Sequence, residues 1–369
     1  AYGGLVLLEI AEVADAPEAP WSRLAAQLGG GNVPSLDDAL AAIVAADRAA
    51  EAEAGVAARA AVPAITASPA RDRDIRLADG RRLAYAEWGD PKGTPVLLLH
   101  GMPGSRLLCP DEQATRAAGV RLIAPDRPGY GRSEPRPGRA VIDGADDLGE
   151  LIERLRLPPV AIVGWSSGGP YALASAVRIP ELVSSVGVIA GDAPPDDVPG
   201  FWAEATPELR ELVAAVRTDP ATARARVAAR LSWYAADPGS IVDGALRDAD
   251  SPEAALLALP PVAEALRAMF VEGARQGVAG FVDDWIATVR PWGFALESID
   301  RDVSLWWGDA DRLTTREHTD RLASTLPRAK LTIYPGEGHN IALTHWAEIL
   351  GALLAGGAAI DSAGARPGG

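Results

Sequence analysis

The segment from residue 160 to 170, VAIVGWSSGGP, constrains the fold of this chain more than any other. Its first four residues are apolar, as in a buried strand, and an Ala-rich segment that favours a helix follows it. Between the two, Gly164, Ser166 and Gly168 form a G-x-S-x-G pattern, which predicts a sharp turn from strand to helix. Such a turn lifts the Ser166 oxygen clear of the backbone, so that a base can reach it from one side and a substrate from the other.

The pattern by itself is a weak signal, because the chain contains 38 glycines and a Gly/Ser-rich loop would also fit. The strand–turn–helix setting favours a nucleophilic Ser166 over such a loop. In this setting the backbone N–H of Ser167 lies at a helix N-terminus, directed at any negative charge that develops beside Ser166.

The composition is that of a soluble globular protein, with 48% hydrophobic and 23% charged residues among 369. This length accommodates one large domain with an insertion, or two domains. The net charge of −15 argues against nucleic acid and anionic membrane surfaces as partners, since both are negatively charged. A small-molecule substrate is the expected partner.

No apolar run approaches the roughly 20 residues of a membrane-spanning helix. The N-terminal residues also lack the basic and apolar regions of an export signal, which predicts a cytoplasmic protein. The single cysteine, Cys109, excludes an internal disulfide, and without a neighbouring histidine it is interpreted as a packed thiol rather than a nucleophile.

Residues 1–70 are Ala-rich and acidic with Pro and Gly breaks, and they predict a helical extension followed by a linker. The helix begins at Ser35, a favourable N-cap, and its apolar face is thin. A loosely docked extension is the favoured interpretation. A surface for lid packing, or for a homodimer, is the alternative.

Residues 71–193 and 299–355 alternate strands with helices, after a hairpin around the Asp79-Gly80 turn. Continuous apolar runs, such as 96–99, are typical of strands buried on both faces. The alternation predicts an α/β fold with a doubly wound, mostly parallel sheet. A tail of Gly, Ala, Pro and Ser, residues 356–369, is predicted to be disordered.

Residues 194–298 break this alternation with helical stretches that end at prolines, and they predict an α-helical lid over the C-terminal edge of the sheet. Aromatic residues accumulate in this segment. They either line an apolar substrate cavity or pack the core of the lid. The candidates for substrate contact, in the lid and beside Ser166, are Trp165, Trp202, Trp233, Phe281 and Trp285.

A serine hydroxyl needs a general base within hydrogen-bond reach, and the base needs an orienting carboxylate. Of the four histidines, His339 stands in a loop that leaves the last predicted strand. That loop lies at the sheet edge where Ser166 also lies and where open α/β sheets bind ligands. His339 is therefore the predicted base, and a helix-capping histidine is the alternative.

The carboxylate is expected after the penultimate strand, where Asp309 and Asp311 follow Gly308. Asp311 is favoured because it lies further around the turn, although an aspartate that caps the next helix would fit as well. Asp192, which follows the strand ending near Ile189, is a third candidate.

With these residues the chain resembles the α/β-hydrolase superfamily over about residues 74–355. Ser…Asp…His is the chain order of the triad in that fold. The segment 100–104, HGMPG, resembles the H-G-x-P loop of the superfamily, and 126–133, DRPGYGRS, resembles its D-x-x-G-x-G-x-S segment.

The resemblance implies that the backbone N–H of Met102 is a second oxyanion donor beside that of Ser167. It also implies that His100 and Asp126 shape their loops rather than react. A serine at the nucleophile position disfavours the epoxide hydrolases and dehalogenases of the superfamily, which use a carboxylate there.

The sequence thus predicts a cofactor-independent, metal-free serine hydrolase that cleaves a carboxylic ester or lactone of a small to medium, largely apolar molecule. One alternative is an aminopeptidase or amidase with the same triad. Prolyl aminopeptidases resemble H-G-G-P-G and G-x-S-W-G, whereas here Met102 replaces a glycine and Trp165 precedes the serine. The other alternative is a small-molecule receptor with little turnover, which a complete triad counts against without excluding.

Overall fold

The computed structural model describes residues 63–364, except 199, 202–204 and 249, with side chains up to residue 356. Its strands are β1 (Arg71–Arg76), β2 (Arg82–Gly89), β3 (Thr94–Leu99), β4 (Val120–Pro125), β5 (Val160–Trp165), β6 (Val183–Ile189), β7 (Val303–Gly308) and β8 (Ala329–Tyr334). They form one sheet in the order β1-β2-β4-β3-β5-β6-β7-β8. The first two strands run antiparallel to their neighbours and all other neighbours are parallel. The predicted α/β class with a mostly parallel sheet is confirmed.

Helices follow most strands, as the alternation in the sequence predicts. In the core they are α1 (Glu112–Ala117), α2 (Gly144–Arg154), α3 (Gly169–Arg178), α11 (Arg316–Thr325), α12 (Ile341–Thr344) and α13 (Trp346–Gly364). Between β6 and β7 lie α4 (Pro207–Thr218), α5 (Pro220–Arg230), α6 (Ser232–Ala236), α7 (Ser240–Arg247), α8 (Ala254–Leu257), α9 (Pro260–Gly273) and α10 (Ala279–Thr288).

The sheet is covered on both faces, and β3 shows why its sequence is a continuous apolar run. Leu97 and Leu99 belong to the core on the side of α2, α3 and α11. Val96 and Leu98 belong to the core on the opposite side, with α13. Successive side chains of a strand point to opposite faces, so a strand in the middle of such a sheet needs an apolar residue at every position.

In the described part of the segment between β6 and β7, helices α4 to α10 are joined by turns and short loops, and the segment packs on the loops at one edge of the sheet. Ser105 Oγ donates a hydrogen bond to the Met269 carbonyl at 2.8 Å. Gln276 Nε2 donates to the carbonyls of Gly131 and Ser133 at 2.9 and 2.8 Å. These bonds hold α9 and the turn after it against the loops that follow β3 and β4.

The structure describes the C-terminal helix but only a small part of the predicted N-terminal extension. Of the predicted N-terminal extension and linker, residues 1–70, residues 1–62 lie outside the described residues, and residues 63–70 form no helix. At the other end α13 continues to Gly364, whereas the sequence predicts a disordered tail from Gly356. Residues 357–364 include several alanines, which have the highest helix propensity, and extending an existing helix requires no new nucleation. Within the described residues, no helix is long and apolar enough to cross a membrane.

Candidate active site

Ser166 occupies a sharp turn at the C-terminal end of β5, as the sequence predicts. Its φ angle is +55°, in the left-handed region that non-glycine residues rarely adopt. Residues 166–168 form one 3₁₀ turn and α3 begins at Gly169. Ser166 is 7% exposed. A strained backbone conformation at a nearly buried serine is characteristic of a functional site, because packing has to enforce it.

The glycines beside Ser166 allow backbone segments to approach closely. A Cβ atom at Gly168 would lie 2.3 Å from the carbonyl oxygen of Leu99, at the end of β3. A Cβ atom at Gly164 would lie 2.2 Å from the carbonyl oxygen of Gly168. Backbone atoms surround both positions, so a methyl group cannot be accommodated by moving a flexible side chain.

We expect Gly168→Ala to destabilise the fold by at least ~2–3 kcal/mol, because the new methyl group has to displace backbone. Gly351→Ala is the matched control. Gly351 lies in α13 with nothing within 4 Å of the added Cβ, and alanine there should stabilise the fold by about 0.5–1 kcal/mol. Urea unfolding of both variants measures the difference. Equal changes in the free energy of unfolding for the two variants would contradict the close backbone packing at Gly168.

The predicted base and its favoured carboxylate lie together. His339 follows β8 and its Nδ1 lies 2.8 Å from Asp311 Oδ2. The other oxygen of Asp311, Oδ1, accepts the backbone N–H groups of Leu313 and Thr314 at 2.7 and 2.9 Å. An ionised carboxylate only accepts hydrogen bonds, so His339 donates from Nδ1 and leaves Nε2 to accept a proton.

Three carboxylates act on His339. Burial alone would lower its pKa, but the charge and hydrogen bond of Asp311, with smaller contributions from Glu253 and Asp192, outweigh burial and raise the pKa above its ordinary value. A raised pKa makes the imidazole a better proton acceptor and stabilises the imidazolium that forms after proton transfer.

The two alternatives to Asp311 have different surroundings. Asp309 Oδ1 accepts the backbone N–H of Gly336 at 2.6 Å, so Asp309 joins the loop after β7 to the loop after β8. Asp192 follows β6 and makes no hydrogen bond or ion pair with the described part of the chain. Burial raises its pKa to about 6, His339 opposes this rise, and Asp311 adds to it. Asp192 thus lies within electrostatic reach of the pair.

Asp192→Asn should stabilise the fold at high pH and leave it unchanged at low pH. The pKa of Asp192 is raised from 3.8 to about 6 in the fold, so its ionisation costs stability as the pH rises from about 4 to above 6. Because the residue is partly exposed, we expect a gain of only about 1–2 kcal/mol near pH 8 and none near pH 4. Denaturant unfolding at the two pH values measures it. A gain in the free energy of unfolding of the same size at both pH values would contradict a raised pKa of Asp192 in the fold.

Trp165 joins the loop that carries His339 to the end of β5, and Gly101 packs against Ser166. Trp165 Nε1 donates to the His339 carbonyl at 3.1 Å. A Cβ atom at Gly101 would lie 3.0 Å from Ser166 Cβ and 3.6 Å from Ser166 Oγ. Ser166 Oγ and His339 are not joined by a hydrogen bond in this structure. Catalytic hydrogen bonds often form only when substrate is bound, so His339 as the base for Ser166 stays a prediction.

The two residues predicted as oxyanion donors also lie here. Met102 directly follows Gly101, and its backbone N–H donates no hydrogen bond within the described part of the chain. Ser167 is the middle residue of the 3₁₀ turn that leads into α3, next to Ser166. Both residues are buried. A backbone N–H without an acceptor, beside a nucleophile, is available for an anionic ligand.

The remaining histidines have structural partners. His318 Nδ1 accepts the backbone N–H of Ala193 at 2.9 Å, and burial lowers its pKa to about 4. His345 lies between α12 and α13 and stacks on Tyr334 with ring centroids 3.8 Å apart. Both ring nitrogens of His100 hydrogen-bond to the backbone, Nδ1 with the Gly101 carbonyl and Nε2 with the Arg127 N–H.

Asp126 organises the loops after β3 and β4. Its two carboxylate oxygens accept the backbone N–H groups of Arg106 and Arg132, at 2.6 and 2.8 Å. Burial raises the pKa of Asp126 to about 6, against the opposing charge of Arg106. These contacts agree with the structural roles that the resemblance implies for His100 and Asp126.

Sequence reasoning missed Glu253, which precedes α8. Glu253 Oε1 accepts the backbone N–H of His339, and Ser251 Oγ donates to Glu253 Oε2 at 2.8 Å. Its carboxylate also packs against Gly338, where a Cβ atom would collide with it. The two partners are 86 residues apart and no local pattern marks Glu253, so the sequence offers no signal for this contact.

The aromatic candidates for substrate contact occupy different places. Phe281 and Trp285 of α10 are buried in the core, where Phe281 meets the Tyr234 ring edge to face at 5.5 Å. Trp233 is half-buried against the same core. Trp165 is buried beside His339, with ring centroids 6.5 Å apart. Trp202 lies outside the described residues. Substrate contact by these residues stays a prediction, and Trp165 directly precedes Ser166 in the chain.

Comparison with known proteins identifies the family. Residues 94–345 match the family model described as alpha/beta hydrolase fold. The chain belongs to the alpha/beta hydrolase family. The match begins at β3 and ends just after α12, so it includes Ser166, Asp311 and His339.

Relatives in this family span several activities. A non-heme chloroperoxidase of Kitasatospora aureofaciens is 28% identical over 285 residues, which cover 72% of this chain and 91% of the relative. Lipase 1 of Psychrobacter immobilis is 31% identical over 147 residues, or 38% of this chain and 42% of the lipase. A thermophilic esterase from Thermogutta terrifontis shares the fold, with a TM-score of 0.56 and 24% identity over 77% of this chain and 97% of the esterase.

Proposed function

We propose that this alpha/beta hydrolase cleaves a carboxylic ester or lactone of a small to medium, largely apolar molecule through an acyl-enzyme on Ser166. The observation that carries the proposal is the buried hydrogen bond between His339 Nδ1 and Asp311 Oδ2, at 2.8 Å. This bond supports the proposal because it would hold His339 in the tautomer that a base needs, at the same sheet edge as a serine in a strained turn.

In the proposed reaction, Ser166 Oγ attacks the carbonyl carbon while its proton passes to His339 Nε2. The carbonyl electron pair moves to the oxygen, and the N–H groups of Met102 and Ser167 stabilise the resulting oxyanion. When the tetrahedral intermediate collapses, the ester C–O bond breaks and the alkoxide takes the proton from His339. Water, deprotonated by His339, then attacks the acyl-enzyme, and Ser166 recovers its proton as the carboxylic acid leaves.

A fluorophosphonate probe tests the nucleophile directly. We expect the wild-type chain to be labelled at Ser166, because the probe traps a serine that a base has activated. Ser166→Ala should show no labelling, and peptide mapping should find the adduct on Ser166 of the wild type. Labelling that persists in Ser166→Ala, or a wild type that is never labelled, would overturn the proposal.

A second candidate function, amide hydrolysis of a substrate with a free amine, rests on one observation. Asp192 is a carboxylate near His339 with no partner in the described part of the chain, and it could pair with a substrate ammonium. Comparing kcat/KM for p-nitrophenyl esters and aminoacyl p-nitroanilides distinguishes the two candidates. Preferred anilide turnover that is lost in Asp192→Asn would favour the amidase.

A further inference from the structure

A cluster of buried charges links the lid to the loop that carries Met102. Arg127, which follows β4, is 5% exposed and lies between this loop and α10. Its Nη2 donates to the Gly101 carbonyl at 3.0 Å, and its Nη1 donates to the Ser167 carbonyl at 2.9 Å. One guanidinium group therefore bonds to both backbone segments that supply the proposed oxyanion donors.

The contact with Gly101 matters because its carbonyl and the Met102 N–H belong to the same peptide group. In a trans peptide the C=O and N–H bonds point in opposite directions, so fixing the carbonyl fixes the direction of the N–H. His100 adds a second bond, from Nδ1 to the Gly101 carbonyl at 2.8 Å. Burial lowers the pKa of His100 to about 3, so the ring is neutral, and its Nε2 accepts the backbone N–H of Arg127 at 3.1 Å.

Arg127 is held in turn by Asp284 of α10. Arg127 Nη2 lies 2.7 Å from Asp284 Oδ2, and both side chains are almost completely buried. Asp284 Oδ1 accepts hydrogen bonds from Tyr171, at 2.8 Å, and from Arg139. Burial alone would raise the pKa of Asp284, but Arg127 and Arg139 lower it below its ordinary value, so the carboxylate stays ionised.

The helix that carries Asp284 cannot shift freely. A Cβ atom at Gly280, in the first turn of α10, would lie 2.5 Å from the Gly129 carbonyl oxygen, which places the helix in direct contact with the loop after β4. The guanidinium carbon of Arg127 also lies 4.9 Å from the centre of the Tyr171 ring. Contacts with Asp284 of α10 and with Tyr171 of α3 therefore fix the position of Arg127 together.

We propose that Arg127 is a positioning residue for the oxyanion hole and that Asp284 holds it in place, so that a lid helix controls a site through the Gly101–Met102 peptide. The inference rests on the proposed function, because it assigns the Met102 N–H to the oxyanion. It predicts that Arg127 and Asp284 affect the rate of the chemical step more than substrate binding.

Arg127→Met and Asp284→Asn test the inference, with Asp283→Asn as the matched control. Asp283 precedes Asp284 in α10, is equally buried and also faces Arg139, at 3.8 Å, but it makes no ion pair with Arg127. We expect Arg127→Met to lower kcat for a p-nitrophenyl ester about 10²-fold, near the low end of the effect of losing one oxyanion donor. Asp284→Asn should lower kcat about tenfold and Asp283→Asn less than about threefold, all with KM changed less than about threefold.

The inhibition constant of a trifluoromethyl ketone distinguishes an effect on the oxyanion from a merely structural effect. Its adduct with Ser166 carries an oxyanion, so its Ki should rise by the same factor as kcat/KM falls in Arg127→Met and Asp284→Asn. The double variant should be no slower than Arg127→Met, because Asp284 acts through Arg127.

The possible results separate the inference from the proposed function. If the wild type turns over an ester but Asp284→Asn leaves kcat unchanged, the inference is overturned and the proposed acyl-enzyme is not. The same holds if kcat falls in the variants while Ki for the trifluoromethyl ketone is unchanged. A wild type without turnover or fluorophosphonate labelling would overturn both. If Arg127→Met does not fold, the comparison of Asp284→Asn with Asp283→Asn decides, since Arg127 is retained in each.

Discussion

Replacing Ser166 with alanine should lower kcat for a p-nitrophenyl ester by about 10⁵- to 10⁶-fold, close to the loss seen when a catalytic serine is removed from a triad. The effect is large because no acyl-enzyme can form, and His339 and the backbone donors can then assist only the direct attack of water. Steady-state hydrolysis of p-nitrophenyl butyrate, with active enzyme counted by fluorophosphonate titration of the wild type, measures it.

Two controls accompany Ser166→Ala. Ser175→Ala removes another buried hydroxyl, which only donates to the Tyr171 carbonyl within α3, and should change kcat less than about threefold. Ser166→Gly should be as inactive as the alanine variant, yet more stable than the wild type by about 1 kcal/mol, since glycine adopts a positive φ without strain. Appreciable turnover by either Ser166 variant would exclude it as the nucleophile.

Replacing Asp311 with asparagine should lower kcat by about 10⁴-fold at neutral pH, as expected when the orienting carboxylate of a triad becomes an amide. An asparagine can present its N–H₂ group to His339 Nδ1, which favours the tautomer with the proton on Nε2, where it blocks attack by Ser166. The pKa of His339 should also fall, because Asp311 is the strongest of the influences that raise it. The acid limb of kcat/KM should therefore move to lower pH in the variant, and a pH–rate profile measures both effects.

Asp309→Asn is the matched control for Asp311→Asn, since the two aspartates lie in the same loop and only Asp311 contacts His339. We expect Asp309→Asn to change kcat less than about threefold. Asp192→Asn answers a separate question. If it lowered kcat as much as Asp311→Asn, the carboxylate after β6 would be the partner of His339 and the assignment of Asp311 would be wrong.

The strands and the turn at Ser166 could be predicted because their determinants are local. The apolar run of β3 specifies a strand buried on both faces, and the observed side chains divide between two cores as that pattern requires. The glycines around Ser166 specify a turn that excludes side chains, and the contacts at Gly164 and Gly168 show what they would meet. The positions of His339 and of the aspartates after predicted strands then narrowed the residues of the candidate site to a few.

The contacts between the helices that follow β6 and the rest of the chain had no such signal in the sequence. Glu253 meets the His339 backbone from 86 residues away, and Asp284 meets Arg139 from 145 residues away. The chain contains 50 acidic and 35 basic residues, so very many pairings are compatible with the sequence. Burial makes an unpaired charge costly, but which charges become buried together depends on how the helices between β6 and β7 pack.

The sequence by itself therefore determined the α/β fold, the sharp turn at Ser166 and the small set from which a base and a carboxylate could be chosen, because periodicity and glycine placement act over short stretches of chain. Only the tertiary structure decided between Asp311 and Asp309 as the partner of His339, left Asp192 without a hydrogen-bond partner among the described residues, and placed Arg127 between α10 and the Gly101–Met102 peptide. Those outcomes depend on distances of about 3 Å between distant segments, which follow from the packing of the whole chain and not from any local pattern.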